Sequence, residues 1–487
     1  MRIPSFITPN SLTVTRIALT PFGVYTLFLD GGDNPRFQIL SWCIFFVLGM
    51  TDIVDGKWAR NSNRITPLGA FLDLENGNVT RAQRALREVL KHQYADDVDA
   101  RWAGTFKTHA AQPDAGTLDA DGKPRVREWR DYDPNWRQFM AMILEMTVRL
   151  YGHVLGDDLT TEIRRAVRRA VLSEPAARIS GRYSNIVLIQ AWLHEAISEK
   201  RATESADSAD ATAFATPTNR WLKDAATQLQ HDGDLAEYNS PTYDAISLLA
   251  GCLLLEHSTS SSAQRLGEVV ISQVGERLSR VWHPRLGLQA GPYSRAYGVD
   301  PRKYICLMSV LMSALEIRAA GPGHLNQNTT HLHDLYFFPL FRRVCGPLRQ
   351  QLQLAEATTA RRHEHTYGSA RAVSVVEPTH VIGWESGRRD RFALDQYAPF
   401  AYYSTDGFLA VRTRQDTDWV DIEEIGRHVY RITMQRRSDP DVVHETAALT
   451  VVASSSPVIN DNELLFGEVT LQFPGIVIEV RVAPPTH

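Results

Sequence analysis

Four strings hold the residues best able to do chemistry. TDIVDGKWARNSNRITPLGAFLD sets Asp52, Asp55 and Asp73 at fixed spacing, with Gly56, Ala59, Arg60 and Gly69 between them. Carboxylates are the natural ligands of hard divalent cations. The other three are RISGRYSNIVLIQAW, HDGDLAEYNSPTYDAISLLA and AGPYSRAYGVD, which contribute Asn185, Glu237, Asn239, Tyr243, Tyr293, Arg295 and Tyr297. Phenols can move protons, and amide and guanidinium groups can neutralise an anion.

The first string resembles the CDP-alcohol phosphatidyltransferase family, whose motif runs D-x2-D-G-x2-A-R-x8-G-x3-D-x3-D. Seven of its eight positions are filled, and Gly77 stands where the last acid belongs. The resemblance implies that Asp52, Asp55 and Asp73 bind magnesium or manganese. It further implies that Gly56, Ala59, Arg60 and Gly69 line the CDP-binding turn, and that the missing acid would help activate the attacking hydroxyl.

Elements must deliver these groups. PNSLTVTRIALTPFGVYTLFL and FQILSWCIFFVLGMTDIV read as two apolar spans of roughly 17–20 residues, a length that suits a transmembrane helical hairpin. Arg2 and Arg16 precede or interrupt the first, and Lys57, Arg60 and Arg64 follow the second, so both flanks are expected to face the cytoplasm. Arg16 and the lack of a small-residue cleavage site disfavour a signal peptide. The family resemblance implies about six spans, and no further run after Leu72 is long enough for one. Residues 1–75 therefore read as an incomplete transferase, membrane-anchored, with the remaining chain soluble and cytoplasmic in character.

Composition agrees with a change of character near Asp73. In 487 residues, 22% charged and 44% hydrophobic describe a globular chain with room for two or three domains. A net charge of −4 gives no footing for nucleic acid. Cys43, Cys252, Cys306 and Cys345 form no C-x2-C pair, which suits a reducing compartment. His363 and His365 in RRHEHTYG read as a surface turn.

Trp136, Phe139, Met140, Ile143, Leu144, Thr147, Val148 and Tyr151 recur at helical spacing after the breaker DYDP. Similar stripes occupy 159–172, 186–197, 221–229, 243–254, 266–281, 304–317 and 335–348. Such a succession predicts paired antiparallel helices. KRATESADSADATAFATPT is expected to be a mobile loop. From about Val373 the texture turns to β-branched alternation, predicting an antiparallel β-sandwich.

The fold class is thus multidomain and mainly α: a hairpin over 1–75, an α/α toroid over 76–355 and a β-sandwich over 356–487. The helical strings resemble the toroids of heparinase-like and alginate-lyase-like enzymes, through D-G-x-x-x-E-x-S-x-x-Y and the Asn-bearing helix start. That resemblance implies β-elimination on an acidic oligosaccharide or polysaccharide, with no cofactor. Tyr243 would be the acid or base, Asn185 and Arg295 would neutralise the uronate, Tyr293 and Tyr297 are second candidates, and Asn239 and Glu237 would bind substrate. His194 is the candidate histidine partner. Plainer readings stand beside these: Tyr243 as a core tyrosine, Asn185 as a helix cap, and the GPYSRAYG aromatics as a sugar-stacking surface. A toroid hydrolase would instead use Asp234, Glu237 and Asp244. A non-catalytic glycan-binding protein and a phosphatidylglycerophosphate-type synthase complete the alternatives.

Overall fold

Thr66 opens the first helix, its hydroxyl accepting from the Gly69 N–H at 3.1 Å while Pro67 takes the first helical position. In the computed structural model the described residues are 66–95, 99–204, 212–300, 307–317, 332–352, 360–388, 396–413, 418–436 and 448–483, with isolated positions between 25 and 41. The two predicted spans fall almost wholly outside them. Among the described residues no helix is long and apolar enough to cross a membrane.

The chain divides into two compact units: residues 1–136 with 150–166, and residues 137–149 with 167–487. The first unit holds α1 (Pro67–Glu75), α2 (Val79–Leu90), the end of α3 (Trp136–Leu155) and the start of α4 (Asp157–Leu172). Phe71 meets Tyr151 edge to face at 5.5 Å, and the Tyr151 hydroxyl donates to Glu75. Between Lys91 and Asn135 the described backbone forms turns and isolated bridges rather than helices, with Gln93 donating to the Gly104 and Ala166 carbonyls.

The second unit continues with α5 (Ser184–Glu204), α6 (Thr212–Asp232), α7 (Asp244–Glu256), α8 (Ser261–Val281), the short ribbon β1 (Trp282–His283) and β2 (Leu288–Gln289), then α9 (Leu307–Ala314), α10 (Phe338–Val344) and α11 (Gly346–Gln351). Consecutive helices pack as pairs, α5 on α6 and α7 on α8. In addition α5 packs on α7, α7 on α9, and α6 on α8, so the helices fall into two layers. Every residue of α7 from Asp244 to Leu254 is buried, as expected of a helix with apolar neighbours on all sides. Where α7 and α8 cross, Gly251 and Gly267 allow backbone contact: a Cβ on Gly267 would lie 2.5 Å from the Gly251 carbonyl oxygen.

Two expectations change here. The 335–348 stripe is a 3-10 turn (Leu332–Phe337) followed by two short helices, because Pro339 and the Gly346–Pro347 pair interrupt it. Much of the expected loop is helical, since α5 runs to Glu204 and α6 starts at Thr212; residues 205–211 lie outside the described residues.

The remaining strands are β3 (Arg361–Tyr367), β4 (Ala370–Val376), β5 (His380–Ser386), β6 (Phe400–Ser404), β7 (Phe408–Thr413), β8 (Asp418–Gly426), β9 (Val429–Arg436), β10 (Ala448–Ala453), β11 (Val458–Asn460), β12 (Glu463–Phe466), β13 (Val469–Gln472) and β14 (Val477–Val482). They make a seven-stranded sheet, β14-β10-β7-β6-β5-β4-β3, and a five-stranded sheet, β11-β12-β13-β9-β8. Their facing sides share one core, in which Trp384, Phe400 and Val451 meet Ile422, Tyr430 and Leu471. A sandwich was expected, but it is mixed rather than antiparallel, because β10 pairs β14 and β13 pairs β9 in parallel. The large sheet is covered on its second side as well, where Val381, Ala401 and Ala410 pack against Val281, Ala290 and Tyr293. This explains why β5 is buried along nearly its whole length. Gly383 makes the close approach possible: any Cβ there would sit 1.7 Å from the Gly291 carbonyl oxygen.

Candidate functional site

A polar cluster lies where the start of α5, the segment leading into α7 and the loop after β2 come together. Asn239 takes a left-handed backbone conformation (φ 52°) ahead of α7. Its amide donates to the Ala290 and Pro292 carbonyls at 2.7 and 2.8 Å, which ties the 290–297 loop to the helix start. Ser240 adds a second tie, its hydroxyl donating to the Arg295 carbonyl at 2.6 Å and accepting from the Tyr243 N–H at 3.0 Å.

These ties place Arg295 beside the Tyr243 ring, 4.2 Å from guanidinium carbon to ring centre, with Tyr183 at 5.4 Å and Tyr297 at 5.9 Å. The Tyr243 and Tyr297 hydroxyls are hydrogen-bonded to each other. Tyr243 is 8% exposed and Tyr297 41%, so the phenol pair runs from the interior to the surface. Arg295 donates to Glu237 at 2.8 Å and to Gln396 at 2.6 Å. Glu237 also accepts from the Asn185 N–H at 3.1 Å, so its carboxylate faces the N-terminal turn of α5, where a negative charge is favoured.

Burial pushes the Tyr243 phenol well above its usual value, and Arg295 only partly opposes this. Burial also works against the Arg295 charge, but Glu237 and the surrounding tyrosines raise its pKa overall and hold it as a cation. For Glu237 burial raises the pKa, with Arg295 and the Asn185 N–H pulling the other way. The arrangement therefore offers a fixed cation, a protonated buried phenol and a second phenol at the surface.

Asn185 is fully buried, and neither its side-chain oxygen nor its nitrogen has a hydrogen-bond partner among the described residues. It is the second residue of α5, and the cap reading fails because the amide bonds no backbone group. Leaving such a group unpaired costs about 1–3 kcal/mol.

Other sequence candidates are placed differently. Asn239 spends its amide on the loop carbonyls and its oxygen on Arg277 and Gln289, so it is a scaffold residue rather than a substrate contact. Tyr293 is 3% exposed, donates to the Gln289 carbonyl at 2.7 Å and packs in the core between loop and sheet, so it too is scaffold. Glu237 serves Arg295 and α5. The hydrolase carboxylates are also engaged: Arg277 is clamped by Asp234 at 2.7 Å and Asp244 at 2.8 Å, all buried. His194 lies nine residues beyond Asn185, about half a revolution around α5, and its ring sits 6.5 Å from Trp221. It is therefore turned away from the tyrosine pair.

Tyr183 and Tyr238 were given no role in the sequence reading, and one string was misplaced. Tyr183 joins the aromatic ring set around Arg295. RRHEHTYG is strand β3 rather than a turn, and its alternation puts His363, His365 and Tyr367 on one face. That period was the available signal. His365 and Tyr367 both stack on Tyr238, at 5.1 and 4.6 Å, while Arg277 covers another part of Tyr238 at 4.9 Å. Deeper in the sheet, Arg388 pairs with Glu385 at 3.0 Å and with the Tyr367 hydroxyl.

Of the N-terminal motif, Asp52, Asp55, Gly56, Ala59 and Arg60 lie outside the described residues. Gly69 and Asp73 sit on α1. Burial raises the Asp73 pKa, opposed by Arg81, whose Nε lies 3.3 Å away. Gly77 has φ 73° in the turn after α1.

Residues 57–345 match the protein family described as "Domain of unknown function (DUF8769)", and residues 6–74 match the CDP-alcohol phosphatidyltransferase family. The chain is similar to a "Probable phosphatidylglycerophosphate synthase" of Mycobacterium tuberculosis, 38% identical over 64 residues, covering 13% of this chain and 31% of the relative. It is also similar to a "CDP-diacylglycerol--glycerol-3-phosphate 3-phosphatidyltransferase" of Haemophilus influenzae, 36% identical over 86 residues, 18% of this chain and 44% of the relative. The chain thus spans between about a third and somewhat under half the length of these curated relatives.

Proposed function

The chain belongs to the DUF8769 family, and we propose that its helical region, closed as an α/α toroid over about 76–355, acts with the β-sandwich over 356–487 as a lyase on uronic-acid glycans. The observation that carries this reading is the Tyr243–Tyr297 hydroxyl pair beside the Arg295 guanidinium, next to the start of α5 and its unpartnered Asn185 amide. The two-layered helix packing supports the toroid.

In β-elimination a proton leaves C5 of the uronate, the C4–O bond breaks and the departing oxygen gains a proton. Arg295 and Asn185 would bind the sugar carboxylate and stabilise the charge that develops on it as C5 loses its proton. The hydrogen-bonded tyrosine pair acts as one proton relay, and Tyr297 at its surface end takes the C5 proton. Tyr243, kept protonated by burial, delivers its proton to the leaving oxygen. Transfer of the captured proton along the hydroxyl pair from Tyr297 to Tyr243 restores the starting state. The expected products are a shortened glycan and a 4,5-unsaturated uronate.

Incubation with polyuronates and oligouronates should generate a product absorbing in the near ultraviolet, and Tyr243→Phe should lower that rate by about 100-fold or more. Saturated reducing-end products from a Tyr243→Phe variant that stays active would replace this reading with hydrolysis, and binding with no turnover would replace it with a glycan-binding role.

A second reading rests on the match over residues 6–74: membrane association and residual CDP-alcohol chemistry at the N-terminus, with CDP-linked lipid as partner and magnesium or manganese as cofactor. Asp73 with Arg81 at its side and Gly77 at the last acidic position leave the divalent cation an incomplete set of ligands.

A further inference from the structure

At one end of the sandwich three side chains converge from both sheets. His380 opens β5 of the seven-stranded sheet. His428 lies in the β8–β9 turn and Glu468 in the β12–β13 turn of the five-stranded sheet. The parallel register of β9 and β13, which sets Val429 opposite Thr470, brings the two turns to the same end. His428 occupies left-handed backbone space (φ 57°), unusual for a residue with a Cβ, and its carbonyl is held by the Thr470 N–H at 2.9 Å. The His380 Nδ1 lies 2.9 Å from one Glu468 oxygen and the His428 Nδ1 3.2 Å from the other. Ligand atoms of all three residues lie within 4.8 Å of one another.

We propose that His380, His428 and Glu468 form a binding site for a zinc-class divalent transition-metal ion that clips the two sheets together. Imidazole nitrogen and carboxylate oxygen bind zinc at about 2.0–2.2 Å, so donors in a tetrahedral site stand roughly 3.3 Å apart. The two His–Glu separations here, 2.9 and 3.2 Å, lie just under that value. Two imidazoles among three donors select zinc, cobalt or nickel over magnesium and calcium, which take oxygen ligands. His380 is 5% exposed, while Glu468 stands at the surface, giving a buried anchor with an entry path. The fourth position would be taken by water. This inference does not depend on the glycan reading.

The test uses the full chain, stripped with a chelator and titrated with zinc against a chromophoric competitor, and separately with cobalt followed by visible absorption. One equivalent with intense tetrahedral cobalt bands is expected. Glu468→Gln and His428→Ala lie at exposed or partly exposed turns and should keep the fold. Each should weaken zinc binding by more than about 100-fold, since even outer-shell partners of a metal commonly matter 10–100-fold. Zinc should raise the melting temperature of the wild-type chain and not of these variants. Absence of stoichiometric binding, or equal binding by both variants, would show that the three residues form only a hydrogen-bonded His–Glu–His cluster, and would overturn the proposal.

Discussion

A buried amide with no partner is destabilising unless something binds it, and Asn185 is such a group. Asn185→Leu keeps the size and removes the unpaired polar atoms, so the melting temperature should hold or rise while elimination falls by about 100-fold or more. A variant that loses stability and turnover in parallel would instead mark Asn185 as scaffold. His194 poses the opposite problem, since its Nδ1 is unpaired among the described residues but it faces away from the site. Burial lowers its pKa from 6.5 to about 4. The folded state therefore holds His194 neutral where the unfolded chain would protonate it. Its contribution is intact above pH 6.5 and is lost as pH falls toward 4, by on the order of 3 kcal/mol in all. His194→Leu should flatten the decline of melting temperature between pH 7 and 5, and an unchanged slope would refute this account. Asn185 and Arg295 were legible from residue type next to the family-like strings. Tyr183 and Tyr238 were not, because their roles come from rings contributed by distant segments.

Helix pairing sets the site, and glycine sets how closely the helices pair. Gly267→Ala should cost about 1–3 kcal/mol despite the higher helix propensity of alanine, because the new methyl meets the Gly251 carbonyl and the Leu255 nitrogen. Gly275 on the same helix has only Leu348 Cδ1 at 3.7 Å, so Gly275→Ala should be neutral or gain up to about 1 kcal/mol. Denaturant midpoints of the two variants check the pair; shifts in the same direction would mean that propensity, not close approach, governs α8. The helices were legible because apolar spacing of 3.6 survives into the structure, as in Trp136–Leu155 and Ser261–Val281. Strand β3 was not, since RRHEHTY reads as polar when its partners on Tyr238 are unseen.

At the scale of the whole molecule, two vocabularies share one chain. The purified protein given CDP-diacylglycerol, labelled glycerol phosphate and magnesium or manganese should put no label into lipid, because Gly77 replaces the last acid and Asp73 is occupied by Arg81. Label incorporation abolished by Asp55→Asn would overturn that expectation. The sequence by itself determined the CDP-alcohol motif, the helical succession and the β-rich end, since each is written in local spacing and period. Only tertiary structure decided which polar groups are spent and which are open. Asp234 and Asp244 stood as hydrolase candidates beside Arg295 and Tyr243, yet Arg277, 43 and 33 residues away from them, consumes both. Likewise, no local pattern announces His380, His428 and Glu468, which strand register and sheet packing bring together. Chemistry that depends on leftover hydrogen-bonding capacity is a property of long-range partners, and residue spacing does not encode it.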